Sequence, residues 1–326
     1  MKAIRYTKYG SPDELKYEEV IKPIPKKNEV LVKVYAASIN SWDYDLLDAK
    51  GFLARLLSGW FKPKHEILGA DIAGVVEAVG ESIIVFKPGD EVFGDIAGAG
   101  FGGFAEYVTV PEKLLAKKSA AITFEQSAAL PQAGLLMLQG LRYKRPIQPG
   151  QHLLINGAGG GVGTLALQYA KSIGAEVTCV DKAEKFELLR SLGADHLIDY
   201  TKEGYTRNSK QYDYILDVIA HKSAADYIRA LNPNGVFAMI GGSMGWLLFQ
   251  MMLIQPILSK FRKKKLGIMG YKPNRKDLEE LNQLVVENKI KVVIDKVFPL
   301  SETANAFRHF ESGNFKGKII ISVSHT

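Results

Sequence analysis

The stretch Leu153-Leu154-Ile155-Asn156-Gly157-Ala158-Gly159-Gly160-Gly161-Val162-Gly163 runs from an apolar strand into a glycine cluster, and Thr164 to Lys171 continues it with the pattern of a helix. That order suits the pyrophosphate of a dinucleotide. Glycines let the backbone turn sharply and come close to the phosphates, and the amides at a helix start face negative charge where the helix dipole favours it. Glycine clusters also make ordinary turns, so the flanks carry the reading. Ala175 to Val180 has the pattern of a second strand and leads into Asp181, 18 positions beyond Gly163, where the fingerprint expects an acid for the adenosine ribose. Strand, glycines, helix, strand and acid in that order predict a dinucleotide-cofactor site that includes Gly157, Gly160, Gly161, Val162, Gly163 and Asp181.

Outward from this stretch the period of the chain changes. From Thr123 onward helical stretches alternate with strands predicted at Leu153 to Ile155, Val177 to Val180, Tyr212 to Val218 and Gly235 to Ile240, which implies right-handed crossovers and a parallel sheet. Before it, short β-rich runs such as Glu29 to Val34, Ile72 to Gly80, Glu91 to Gly94 and Ala105 to Val110 are broken by Gly, Pro and Asp, which predicts a β-rich, barrel-like domain. The tail from Val292 to Val323 returns to strand and short-helix character. It completes the first domain in this reading, which gives residues 1–122 with 290–326 as one domain and 123–289 as a Rossmann, doubly wound parallel-sheet nucleotide-binding domain.

The 326 residues, 47% hydrophobic and 24% charged, suffice for two cores and exclude a disordered chain. The net charge of +7 is spread over scattered basic residues with no nucleic-acid module, so no nucleic-acid partner is expected. The single cysteine, Cys179, forbids an internal disulfide and sits in an apolar run, where a buried small residue is expected rather than a reactive thiol. The beginning, Met1 to Tyr6, has no apolar signal core, and a cytoplasmic location is the expectation.

With these elements in place the chain resembles the medium-chain dehydrogenase/reductase superfamily, in its zinc-lacking quinone-oxidoreductase-like branch. The resemblance covers nearly the whole chain. It is carried by Ala37-Ser38-Ile39-Asn40 with Asp43, by Leu68 to Val76, Pro88 to Gly94, Phe104 to Tyr107 and Gly157 to Gly163, and by Leu192 to Tyr200 and Gly317-Lys318. It implies a GroES-like catalytic domain, a Rossmann domain, a cleft between them, and hydride transfer from a nicotinamide to an unsaturated or carbonyl substrate. Zinc-dependent relatives place a cysteine and a histidine where this chain has Asn40 and Ala70, and a cysteine lobe is impossible with Cys179 alone. Amide and methyl groups do not replace thiolate and imidazole as zinc ligands, and His65 and His152 lack clustered partners in the sequence, so no metal is expected.

The resemblance further implies that a loop holding Asn40, Asp43 and Tyr44 lies beside the nicotinamide. There Asn40 is a candidate amide donor to the substrate oxygen and Tyr44 a candidate phenolic donor or stacking group. Asn40 and Asp43 are equally suited to fixing the loop by side-chain-to-backbone bonds. Gly241 and Lys318 are further cofactor candidates from the same likeness. On cofactor choice, Asp181 favours NADH because a carboxylate repels a 2′-phosphate, whereas Lys185 and Tyr200 match NADPH-preferring relatives, and the balance leans to NADPH.

One segment is not generic. Trp246 to Leu258 is strongly apolar, contains Pro256, is too short to span a bilayer, and is followed by the basic run Arg262 to Lys265. Three roles are open to it: a wall or lid over the substrate, a homodimer interface, or a membrane-surface helix, the first two preferred. The expected protein is thus a zinc-independent NAD(P)H oxidoreductase acting on quinones, enones or small carbonyl compounds, as a monomer or homodimer. The alternative is a catalytically weak NAD(P)-binding protein with a structural or membrane-associated role.

Overall fold

The computed structural model describes residues 1–49, 55, 59–207, 210–242, 247, 250 and 264–325. Its first unit comprises Met1–Gln132, Pro273–Glu287 and Val292–Thr326, and its second Ala133–Lys272 with Asn288–Lys291. The chain begins with β1 (Lys2–Arg5), β2 (Lys16–Glu19), β3 (Glu29–Ser38), α1 (Ser41–Asp48), β4 (Asp71–Val79), β5 (Glu91–Asp95), β6 (Tyr107–Pro111) and β7 (Leu115–Lys117). Then come α2 (Phe124–Ala128) and α3 (Pro131–Leu141), whose third residue opens the second unit. That unit holds β8 (His152–Asn156), α4 (Gly161–Ser172), β9 (Glu176–Asp181), α5 (Phe186–Ser191), β10 (His196–Asp199), β11 (Tyr212–Asp217), α6 (Ala224–Ala230), β12 (Leu231–Met239) and β13 (Lys265–Ile268). The chain returns to the first unit with α7 (Arg275–Val286), β14 (Ile294–Pro299), α8 (Thr303–Glu311) and β15 (Lys318–Ser322).

In the first unit the strands run in the order β14-β15-β3-β4-β5-β7, with β6 also on β3. Strand β3 alternates buried Val30, Val32 and Val34 with less buried positions, the period expected of a sheet with one face on a core. These valines pack with Ile72, Phe104, Phe307 and Ile321 in one cluster. Strand β15 enters between β14 and β3, so the C-terminal tail closes the sheet that the N-terminal residues begin.

The second unit has, among the described residues, a six-stranded sheet ordered β10-β9-β8-β11-β12-β13 with every pair parallel. The order reverses between β8 and β11, where parallel α/β sheets open a crevice at their strand ends. Both strands have buried interiors, as a sheet covered on both faces requires.

Two expectations change. The boundary near residue 122 moves to Gln132, because Thr123 caps α2 through the Gln126 amide and that helix packs on β3 and β4. Residues 273–287, expected in the nucleotide domain, join the first unit. Arg275 donates to the Leu115 and Glu112 carbonyls, and Asn282 accepts from the Ser119 amide. Of the basic run, Lys264 is buried and donates to the carbonyls of Ile228 and Leu231 where α6 ends. Most of Trp246 to Leu258 lies outside the described residues. Of it, Leu247 packs in the core with Tyr227 and Phe237, and Gln250 accepts from the Ala224 amide, which ties it to the start of α6.

Candidate functional site

In the first unit the pairing of β3 with β4 sets Ser38 opposite Asp71, and β15 runs antiparallel along β3 so that Lys318 comes level with Asn40. A fully buried carboxylate results at the centre. One oxygen of Asp71 accepts from the Ser38 hydroxyl (2.9 Å), the Asn40 amide (2.9 Å) and the Lys318 ammonium (3.3 Å), and the other from the Gln132 backbone amide (2.9 Å). Lys318, itself 6% exposed, also donates to the Asn40 side-chain oxygen (2.5 Å) and the Ile39 carbonyl (3.1 Å), which engages all three of its hydrogens. Burying a charged pair is tolerable only when its remaining hydrogen-bonding capacity is met, and here it is.

The segment expected as a loop is helix α1, with Asn40 at its N-cap. Asp43, in the first turn, accepts from the backbone amides of Asn40 (3.0 Å) and Gly69 (2.9 Å). Gly69 needs to be glycine, since its φ is +101° and a Cβ would press on the backbone of Gly103 and Phe104. Burial pushes the Asp43 carboxyl up to about 7, while its two backbone donors pull the other way. Tyr44 is turned to α8, where its hydroxyl donates to Glu311 (2.8 Å) and its ring lies 5.8 Å from Phe310. Burial, reinforced by Glu311, lifts that phenol to about 12. The structure thus gathers Asn40, Asp43 and Lys318 and gives Tyr44 a separate partner.

In the second unit α4 starts at Gly161, three residues earlier than the sequence pattern suggested, because the glycines themselves form its first turn. The first helical bond runs from the Thr164 amide to the Gly160 carbonyl (2.9 Å), so the amides of Gly161, Val162 and Gly163 precede any possible intrahelical acceptor. Gly157 turns at φ +81°, and a Cβ on Gly163 would collide with Gly157 and Ala158. A Cβ on Gly160 would meet only the Gly157 carbonyl at 3.6 Å, so that position opens onto free space. This is the cradle that a pyrophosphate requires.

Asp181 ends β9 and turns onto the glycine loop. It accepts from the amides of Gly159 (2.7 Å) and Lys182 (2.9 Å), and its partner Lys185, also buried, stands 3.4 Å away. The register pairs Asp199 with Asp181, so Tyr200, 46% exposed, follows at the same end of the sheet. Gly241 lies beyond β12, and its carbonyl accepts from Ala220.

At the reversal point the ends of β8 and β11 are locked by groups that sequence reasoning did not single out. The Asn156 amide donates to Asp217 (2.7 Å), which also accepts from the hydroxyls of Tyr227 (2.8 Å) and Tyr205 (3.1 Å) and the amide of Ile219 (3.0 Å). Burial raises the Asp217 carboxyl, against the pull of these donors. The signals were a polar residue ending each apolar strand, and, for Asp71, a charge inside the apolar run Leu68 to Val76. Among the described residues no group of three or more His, Cys, Asp or Glu side chains is arranged to hold a metal ion.

Residues 26–120 match the family model described as the alcohol dehydrogenase GroES-like domain, and residues 192–321 the one described as zinc-binding dehydrogenase. The 2-methylene-furan-3-one reductase of Solanum lycopersicum is 35% identical, over 98% of this chain and 79% of that protein. The chain belongs to the medium-chain dehydrogenase/reductase superfamily, in its quinone-oxidoreductase-like branch. Another relative in this superfamily, the NADPH-dependent alkenal/one oxidoreductase of Arabidopsis thaliana, is 33% identical over 98% of the chain and 79% of that protein. The quinone oxidoreductase from Coxiella burnetii superposes with a TM-score of 0.88 at 30% identity, covering 99% of both chains. The Escherichia coli quinone oxidoreductase complexed with NADPH does so with 0.85 at 25% identity, covering 99% of this chain and 100% of that one.

Proposed function

We propose that the protein is a zinc-independent, NAD(P)H-dependent oxidoreductase that delivers hydride to a quinone, an enone or a small carbonyl compound. The observation that carries this reading is the Gly157–Gly163 turn feeding the first turn of α4 in an all-parallel sheet. In this reading the amides of Gly161, Val162 and Gly163 hold the pyrophosphate, Gly160 leaves room for it, and Asp181, Lys185 and Tyr200 meet the adenosine end, with Gly241 a further contact. The bound cofactor supplies the hydride. The chain's own part is to hold the reactants, exclude water and set the charges.

Zinc independence is supported by the donor set of the first unit. Asn40, Ala70 and Lys318 offer an amide, a methyl and an ammonium, none of which is a zinc ligand of the usual kind. NADPH preference is supported by the state of Asp181: two backbone amides and Lys185 offset its charge, which weakens the repulsion a free carboxylate would exert on a 2′-phosphate. Turnover of NADPH and NADH with a panel of quinones and enones tests the activity. Lys185→Ala tests the preference, with the NADPH/NADH ratio of kcat/KM expected to fall by roughly tenfold, as the loss of one charge contact predicts. An unchanged ratio would remove Lys185 from the ribose site.

A further inference from the structure

Asp217 ends β11 fully buried and is held by four neutral donors, which divide between its two oxygens. Oδ1 accepts from the Asn156 side-chain amide (2.7 Å) and the Ile219 backbone amide (3.0 Å), and Oδ2 from the hydroxyls of Tyr227 (2.8 Å) and Tyr205 (3.1 Å). The division has a direction. On the Oδ2 side Tyr227 belongs to the core of the second unit, its ring stacked 4.0 Å from Phe237. On the Oδ1 side the two donors flank Gly157. Asn156 precedes that glycine in the chain, and a Cβ on Gly157 would lie 3.2 Å from the Ile219 Cδ1 and 3.4 Å from the Val218 Cβ. The Val218 amide donates to the Asn156 carbonyl (3.1 Å), so the turn at φ +81° rests directly on the residues that follow Asp217.

We propose that Asn156 and Asp217 are positioning residues for the nicotinamide cofactor: they fix the Gly157 turn, and with it the amides of Gly161, Val162 and Gly163 that receive the pyrophosphate. The proposal rests on the oxidoreductase reading above and adds to it a pair that acts through the glycine turn. Amides at a helix start serve an anion only when they are aimed at it, and a small shift of the turn aims them elsewhere. Hydrogen bonds are directional, so a buried network whose members are all satisfied holds one arrangement where apolar packing alone would tolerate slippage. The two sides of the carboxylate therefore have different work. Oδ1 sets the turn, and Oδ2 ties the carboxylate to the core through the tyrosines.

The test compares full-length variants on opposite sides of the carboxylate. Asn156→Leu removes the donor beside the turn and leaves both tyrosines on Asp217, with Asn156→Ala made should the leucine variant fail to fold. Tyr227→Phe removes a donor on the core side and leaves Asn156 and Ile219 in place. Asp217→Asn is the conservative variant: its carbonyl oxygen accepts from Asn156 and Ile219, and its amide donates to the tyrosine hydroxyls, which are acceptors as well as donors. NADPH affinity by fluorescence titration, kcat at saturating NADPH with one quinone, and Tm are measured for each. In Asn156→Leu, NADPH affinity is expected to fall by about tenfold with kcat at saturation within about twofold of the native value. Asp217→Asn should keep NADPH affinity within about threefold, and Tyr227→Phe should lower Tm and leave the affinity unchanged. A folded Asn156 variant with unaltered NADPH affinity overturns the proposal. So does an equal loss of affinity in Tyr227→Phe, which makes the network a stabiliser of the whole unit and no more. If the unaltered protein binds neither NADPH nor NADH, the cofactor reading itself fails, and that result is read without any variant.

Discussion

Asp43 and Asp71 are two buried carboxylates of one small region, held by different means. Asp71 has a cation, Lys318, and removal of one member of such a buried pair costs about 3–5 kcal/mol because a charge is left without compensation. Asp43 has only two backbone amides, and burial lifts its folded pKa from 3.8 to about 7. The sign of the pH effect follows from proton counting. Between pH 4 and 7 the folded state holds a proton on Asp43 that the unfolded chain has released, so this residue's contribution to stability falls as pH rises through that window, by at most about 1.4 kcal/mol per pH unit. Asp43→Asn carries no titrating group there. Urea unfolding of both proteins at several pH values from 5 to 8 should therefore show the native protein losing stability relative to the variant as pH rises, with the difference levelling off above pH 8. A difference that is flat across this range would mean that Asp43 is already ionised when folded.

Helix α4 owes its position to glycines that by propensity disfavour helix, since glycine costs about 1 kcal/mol per residue against alanine in a helix interior. A sequence pattern read on apolar spacing accordingly begins the helix at Thr164, and the structure begins it at Gly161 because the first turn is where close approach matters more than propensity. The same physics hid the character of α1. Asn40 and Asp43 looked like loop-fixing residues, and their bond is the capping contact of a short helix, since side-chain bonds to the backbone serve turns and helix starts alike. At Gly160 the geometry gives a definite expectation. A valine there meets no protein atom closer than 3.6 Å at its Cβ, so the fold should survive, while its methyl groups occupy the space in front of the helix amides. Calorimetric titration of Gly160→Val with NADPH should show affinity reduced by at least about a hundredfold, in line with the loss of several charge-assisted bonds, with circular dichroism unchanged. Retained affinity in the folded variant would move the phosphate site elsewhere.

Across the whole molecule, the parts written in local sequence were legible and those made by long-range closure were not. The order of strands 153–156, 176–181 and 212–217 followed from periodicity, whereas the bonds from Gln132 to Asp71 and from Asn156 to Asp217 each join residues 61 positions apart. The return of the tail to the first domain was expected from its strand character, but the pairing of β15 with β3, which brings Lys318 to Asn40 across 278 positions, was not. That closure bears on metal content. An ammonium bonded to the Asn40 oxygen and facing Asp71 already provides positive charge at the buried carboxylate, and a divalent cation brought there would meet Lys318 at close range and be repelled. With Cys179 buried and its thiol pushed up by burial, the one cysteine offers no thiolate ligand either. Purified protein is therefore expected to contain well below one zinc per chain by elemental analysis, and NADPH-dependent quinone reduction is expected to be unchanged after exhaustive chelation. Activity lost to the chelator and regained with added zinc would require Lys318 to yield its place at Asn40 and Asp71, and would overturn the zinc-independent reading.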